Sequence, residues 1–107
     1  MKSFYLLAVI ATSFLTVGAI LYVYSQESAD SLYKTRCIAC HGADGTADTV
    51  MGKKLGAASF RSPDVVSMTD AGLFTIIKKG KGKMPSFENK ISDDQIRELI
   101  KYIRQLK

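Results

Sequence analysis

The sequence is poor in the residues that build metal clusters and disulfide frameworks. Its 107 residues include two cysteines, one histidine and no tryptophan. Two cysteines allow one disulfide at most, and a four-ligand zinc site would need a second cysteine pair or a second histidine. This scarcity excludes most alternative interpretations of a motif that contains these residues.

Neither sign of charge dominates the chain. Fifteen Lys and Arg stand against ten Asp and Glu, which gives a formal net charge of +5. This moderate excess favours acidic partners or anionic surfaces. It is not the basic stripe of a nucleic-acid-binding protein, and the aromatic residues are not interleaved with basic ones as in single-strand binders. We therefore expect no nucleic-acid partner.

One long apolar run stands near the N-terminus. Phe4–Tyr24 contains 21 residues without a charge and follows Lys2. Its length suits a membrane-spanning helix, which needs about 20 residues, and the preceding charge places the rest of the chain outside the cytoplasm. The alternative is a signal peptide cleaved after Val17-Gly18-Ala19, although its apolar region is usually about 7–15 residues long. We expect an exported protein on the periplasmic side and slightly favour a retained membrane helix.

These features divide the chain into three parts. Residues 1–24 are a signal peptide or an uncleaved membrane anchor, residues 25–29 a linker and residues 30–107 the folded domain. Only about 80 residues then remain to fold, and domains of this size often depend on disulfides, a metal or a cofactor. Composition therefore indicates that something besides side chains fills the core.

Helical periodicity predicts three short helices and no strands in the folded part. The first spans Asp30–His41, with Asp30 able to cap it, and the turn sequence G-A-D-G ends it. The second spans Asp70–Lys79, with Thr69 as its cap and Gly80 as its stop signal.

The third helix opens at Ser92, with Gln95 placed for a capping box. Its apolar residues share one face at helical spacing: Ile96, Leu99, Ile100, Ile103 and Leu106. The segments Thr46–Pro63 and Lys81–Lys90 show no sustained period and are predicted to be loops. Loops of this length make sense if they wrap a large, flat, apolar ligand.

The sequence C-I-A-C-H at residues 37–41 points to that ligand. Two thiols one helical turn apart can reach the two vinyl groups on one side of a porphyrin, and the next imidazole can then meet the iron. Because C-x-x-C-H is a haem-attachment signature, we predict one covalent haem c on Cys37 and Cys40, with His41 as an iron ligand. A thioredoxin-like site would need a βαβ pattern, and a Cys37–Cys40 disulfide would close too small a loop to stabilise much.

The sixth position of the iron is open to several ligands. There is no second histidine, so this position holds Met, Lys, water or nothing. Among Met51, Met68 and Met84 we favour Met84, because Pro85 restricts its backbone and methionine is a known axial ligand in cytochromes. We expect Met51 and Met68 to pack against the haem face.

These motifs resemble those of the small bacterial class I cytochromes c. The resemblance rests on C-I-A-C-H-G, on G-K-M-P-S-F and on the amphipathic last helix, and it covers residues 29–107. It implies an all-α class I cytochrome c fold, with short helices and long loops wrapped around one haem. It also implies that the terminal helices cross with Tyr33 and Tyr102 in contact, and that a loop carbonyl, for which Pro63 is the candidate, binds His41 Nδ1.

Ligation by His and Met would close both axial sites, which suits one-electron transfer. We therefore expect a monomeric electron carrier, not an enzyme, between exported or membrane respiratory redox partners. The lysines near Met84 would form a basic ring that attracts redox partners with acidic docking surfaces. Alternatively, they belong only to a solvated loop. These lysines are Lys78, Lys79, Lys81 and Lys83. Two alternatives stay open: a haem c subunit of an oxidase or dehydrogenase complex, and an open-site sensor or peroxidase if Met84 is not a ligand.

Overall fold

The computed structural model describes residues 1–5 and 26–106. Between residues 26 and 106, the only β-type pairing is an isolated bridge of Lys81 with Met84. Six helices follow one another along this part of the chain: α1 (Ala29–Arg36), α2 (Ile38–His41), α3 (Val50–Leu55), α4 (Pro63–Val66), α5 (Asp70–Lys79) and α6 (Asp93–Gln105). The folded part is therefore helical without strands, as predicted.

The predicted hydrophobic helix at the N-terminus falls almost entirely outside the described residues. Of Phe4–Tyr24, only Phe4 and Tyr5 are described. Within residues 1–5 and 26–106, no helix combines the length and the apolar character needed to cross a membrane. The membrane anchor therefore stays a prediction from the sequence, without support from the described residues.

The helix predicted over Asp30–His41 is two helices. Cys37 takes φ −118° and ψ −34° and separates α1 from α2. The cap is Ser28 and not Asp30: the Ser28 hydroxyl accepts a hydrogen bond from Ser31 N at 3.2 Å, which leaves Asp30 in the first turn. A carboxylate there still favours the helix, because it faces the positive end of the dipole.

The prediction of a loop over Thr46–Pro63 was wrong, because the segment contains α3 and the start of α4. Thr49 caps α3 by accepting a hydrogen bond from Gly52 N at 2.8 Å, and Gly56 ends the helix in the left-handed conformation with φ 68°. Pro63 occupies the first position of α4, where its fixed φ is already helical. Helices this short carry no apolar stripe, so periodicity does not detect them.

The signals predicted for α5 and α6 are confirmed. Thr69 caps α5 through a hydrogen bond from Gly72 N at 3.1 Å. A full capping box opens α6, with Gln95 N donating to Ser92 Oγ at 3.1 Å and Ser92 N donating to Gln95 Oε1 at 2.8 Å. These interactions involve residues three apart, so the local sequence is enough to specify them.

The apolar core lies where α1, α5 and α6 meet. Its buried side chains are Leu32, Tyr33, Leu73, Ile96, Leu99, Ile100 and Ile103. Leu106, predicted on the same face of α6, is only half-buried because it follows the end of the helix. The rings of Tyr33 and Tyr102 lie 5.3 Å apart between α1 and α6, so the contact between the terminal helices is confirmed.

Candidate functional site

The two cysteines of the motif are free thiols, and both are half-buried. Cys40 N and His41 N both donate to Cys37 O, at 3.2 and 2.9 Å, so the motif closes into one helical turn. Burial raises the pKa of the Cys37 thiol to about 11. A redox-active dithiol needs a thiol with a lowered pKa instead, so Cys37 does not have the properties of a thioredoxin-like nucleophile.

The His41 ring is oriented by a loop carbonyl. His41 Nδ1 lies 3.0 Å from Ala58 O, and because a carbonyl can only accept, Nδ1 carries the proton. The other ring nitrogen, Nε2, then has the lone pair that a metal requires. Pro63 was the wrong candidate for this carbonyl: its oxygen accepts from Ser67 N at 3.0 Å in the turn of α4.

Phe60 packs against the face of the His41 ring. The two rings are stacked with centroids 4.6 Å apart and an interplanar angle of 22°. Burial lowers the pKa of His41, and the hydrogen bond to Ala58 opposes this shift. The imidazole is therefore kept in its neutral form, which is the form that binds metals.

A cavity of about 300 Å³ lies beside this ring pair. Phe60 both lines the cavity and stacks on His41, so the aromatic partner of the histidine forms part of the cavity wall. None of Cys37, Cys40, His41 and Met84 lines it. The lining residues are Phe60, Arg61, Val65, Val66, Leu73, Ile103, Arg104 and Leu106.

Met84 stands on a separate segment that is fixed to the end of α5. Lys81 N donates to Met84 O at 3.2 Å and Met84 N donates to Lys81 O at 3.0 Å, which closes a tight turn. The Met84 backbone passes close to Gly80: a Cβ on Gly80, whose φ is +80°, would lie 2.8 Å from Met84 O. Ser86 Oγ donates to Lys78 O at 2.7 Å. The half-buried Met84 is therefore held by the α5 end and not by α2.

The other two candidate methionines lie elsewhere. Met51 is 46% exposed on α3, and the half-buried Met68 packs against the apolar core. Of the residues predicted from the sequence, Cys37, Cys40 and His41 are therefore brought together in one helical turn, and Met84 is the methionine that the fold places in a constrained loop.

The basic ring predicted around Met84 is partly neutralised. Lys78 Nζ lies 2.9 Å from Asp93 Oδ1, and Lys79 Nζ lies 2.6 Å from Glu88 Oε1. These lysines lower the pKa of the Asp93 and Glu88 carboxyls. Lys81 and Lys83 form no ion pair with any residue that the structure describes, and both are exposed. Of the four lysines in the predicted ring, only Lys81 and Lys83 therefore carry a positive charge that no described carboxylate balances.

Tyr33 connects the core to the end of the C-x-x-C-H motif. Its ring is buried, and Oη donates a hydrogen bond to Gly42 O at 2.6 Å. Burial raises the pKa of Tyr33 well above its usual value, so the hydroxyl stays a donor. The contact with Tyr102 could be expected from the resemblance, but this hydrogen bond could not, because it depends on how the chain turns after His41.

We expect Tyr33→Phe to lower the free energy of unfolding by about 1–3 kcal/mol, because the buried Gly42 carbonyl loses its short partner. The control is Tyr102→Phe, which removes a hydrogen bond to the exposed Asp30 Oδ1 at 2.9 Å. Denaturant unfolding of both haem-loaded variants should show the larger loss for Tyr33→Phe. Equal losses would contradict the role of the Gly42 carbonyl.

Comparison with known proteins agrees with the site. A family model described as cytochrome c oxidase, cbb3-type, subunit III, matches residues 25–103. The solved structure of the KustC0563 c-type cytochrome is 28% identical with a TM-score of 0.68, over 76% of this chain and 99% of that chain. A tyrosine-to-phenylalanine mutant of it gives 26% identity and a TM-score of 0.67, over 76% and 100%. No curated protein matches the chain.

The fold and the motif define a small mono-haem class I cytochrome c. The chain belongs to the family described as cytochrome c oxidase, cbb3-type, subunit III, and it therefore binds one covalent haem c with its iron. The donor set fits this cofactor: two free thiols within one helical turn and a neutral imidazole whose Nε2 is not engaged by Ala58. Proteins with such domains work with redox partners and are generally exported to the periplasm.

Proposed function

We propose that the protein is a one-electron carrier, with haem c attached to Cys37 and Cys40 and iron ligated by His41 and Met84. The observation that carries this proposal is the hydrogen bond from His41 Nδ1 to Ala58 O, because it leaves Nε2 as the nitrogen that faces a metal. Haem iron with axial His and Met supplies a centre that gains and loses one electron at a raised potential.

Two further features favour electron transfer over catalysis. The turn of Lys81 with Met84 and the close approach at Gly80 restrict how far the methionine segment can move, which supports a fixed axial ligand over an open iron site. A peroxidase would also need a distal acid or base, and the sequence has no second histidine. We therefore favour the electron carrier over the open-site sensor or peroxidase.

We propose that redox partners dock with acidic surfaces near Lys81 and Lys83. These lysines are exposed, stand on either side of Gly82 and come directly before Met84. Charge of this kind raises association rates and makes them sensitive to salt. We also propose that the domain is exported, with Phe4–Tyr24 as a retained anchor or a cleaved signal.

The family description favours one alternative. It names subunit III of a cbb3-type oxidase, so the domain could serve as the haem c subunit of an oxidase complex. The same four residues would hold the haem in that role. The carrier and the subunit differ in whether the chain purifies alone or with partner subunits.

We expect the oxidised, haem-loaded protein to show the weak long-wavelength sulfur-to-iron charge-transfer band, and Met84→Ala to lose it. The reduction potential should fall in the same variant, because an axial methionine raises it. Met51→Ala is the matched control, since Met51 is exposed on α3. A parent protein without the band would reject Met84 as the ligand and favour an open-site haem. A band that survives in Met84→Ala would also reject Met84 and would assign the sulfur ligand to another methionine.

A further inference from the structure

The helix that carries the haem motif cannot hold itself in place. α2 has four residues, and an isolated helix of that length is unstable. Two carbonyls at its start have partners within the turn: the O of Cys37, which precedes α2, accepts from His41 N, and Ile38 O accepts from Gly42 N, both at 2.9 Å. The later carbonyls have no partner in the helix, as at every helix end.

Three outside groups satisfy the later carbonyls. Thr49 Oγ1 donates to Ala39 O at 2.8 Å and also lies 3.1 Å from Cys40 O. Ala47 N donates to His41 O at 2.8 Å. Gly42 O accepts from the buried tyrosine hydroxyl already described. Of the residues supplied by the segment 46–56, Thr49 is the one that acts through its side chain.

Thr49 performs two tasks with one hydroxyl. Its oxygen accepts from Gly52 N at 2.8 Å and caps α3, while its proton goes to the carbonyls of Ala39 and Cys40. The α3 backbone can come this close because position 52 has no side chain: a Cβ there would collide with Cys40 O. One side chain therefore joins the start of α3 to the end of α2.

We propose that Thr49 is a positioning residue for the haem-binding segment: its hydroxyl proton holds the Ala39 and Cys40 carbonyls and so keeps His41 aligned with the iron. The inference rests on the proposed ligation by His41 and Met84. His41 directly follows Cys40, and its ring is tied to Ala58 O. A shift of the α2 backbone would therefore move the His41 imidazole and strain its hydrogen bond to Ala58 O. Even a small shift matters, because metal ligands must be placed within about 0.5 Å of their productive position.

Three substitutions separate the two tasks of Thr49. Thr49→Ser keeps both the acceptor and the donor. Thr49→Asp keeps the cap, since Asp caps helices at least as well as Thr, but it has no proton to donate and puts a carboxylate against two carbonyl oxygens. Thr49→Val keeps the shape and loses both tasks. If Thr49 matters only as a cap, Asp will behave like the parent.

The readout is competition for the iron. Imidazole is titrated into the oxidised, haem-loaded full-length chain, where it must displace Met84, and thermal unfolding is recorded in parallel. We expect parent-like affinity for Thr49→Ser and an affinity about tenfold higher for Thr49→Asp, which corresponds to the loss of one hydrogen bond. Thr49→Val should also bind imidazole more tightly. Parent-like affinity in Thr49→Asp would overturn the proposal.

Two further measurements keep the test decisive. If Thr49→Asp does not mature, the fraction of chain that carries haem is measured instead of the titration. A low fraction for Thr49→Asp together with a parent-like fraction for Thr49→Ser supports the proposal. Equal fractions in the two variants overturn it. Met84→Ala tests the proposed function separately. If it binds imidazole no better than the parent, Met84 is not the displaced ligand and the ligation fails, whatever Thr49 does.

Discussion

A chain with both Cys37→Ser and Cys40→Ser is expected to carry no covalent haem. Serine has the size of cysteine but cannot form the thioether bonds that hold the porphyrin. Haem staining after denaturing electrophoresis, which detects only covalently bound haem, should be positive for the parent and negative for the double variant. Each single variant should keep one thioether and some staining.

Ala43→Ser is the matched control for this experiment. Ala43 is exposed and lies just after the motif, so a serine there tests the substitution without touching a thiol. Full staining is expected. Staining of the double variant equal to the parent would contradict attachment through Cys37 and Cys40 and would remove the basis of the site.

The double variant should also lose most of its helical structure. Among the residues that the structure describes, seven buried side chains form the core cluster, and a domain of about 80 residues gains little from its core alone. Several apolar side chains packed against this cluster, among them Ile38, Phe60 and Ile77, are only partly buried. Circular dichroism of the haem-free variant should therefore show a largely unfolded chain, with a much lower melting temperature than that of the parent.

The sequence predicts those parts of the fold that are specified by neighbouring residues. α6 is long enough to show an apolar stripe, and its start is fixed by Ser92 and Gln95, three residues apart. Thr69 and Gly80 mark α5 in the same way. The C-x-x-C-H motif is equally local, which is why Cys37, Cys40 and His41 can be proposed as the haem-binding residues from the sequence alone.

The parts that depend on distant residues could not be predicted. The partner of His41 is Ala58, 17 positions away and without any side-chain signal, because only its backbone oxygen is used. Lys78 pairs with Asp93 across 15 positions, so the charge of the lysine segment cannot be judged from its own composition. Phe60 reaches the histidine from an irregular segment, where no period marks it as important.

The roles of Thr49 and Gly52 also depend on distant residues and could not be predicted from the sequence. Threonine is a favoured N-cap residue, yet nothing in the local sequence indicates that the helix capped by Thr49 lies against the haem motif. The segment 46–56 therefore looks like a plain loop in the sequence. The structure makes it a support for α2, and that support depends on backbone atoms of Cys40 and Ala47 that come close to Gly52.

Gly52→Ala is expected to reverse the usual effect of this substitution. In a helix, alanine in place of glycine normally stabilises by up to about 1 kcal/mol. At Gly52 the new Cβ would meet Cys40 O and would lie 2.6 Å from Ala47 O. Both are backbone atoms that cannot turn away, so α3 must move from α2. We expect a destabilisation of about 1–3 kcal/mol, the typical cost of overpacking.

Gly72→Ala is the matched control, because Gly72 lies in the first turn of α5 and its Cβ would meet mainly a flexible side chain, with Met68 Cγ at 2.9 Å. Denaturant unfolding of the haem-loaded variants should therefore leave Gly72→Ala close to the parent or slightly above it. Gly52→Ala should fall below the parent and bind imidazole more readily, because moving α3 also removes the Thr49 hydroxyl from the carbonyls of α2. An unfolding free energy for Gly52→Ala at or above the parent value would show that α2 and α3 separate at no cost, and the packing of α3 would then not position His41.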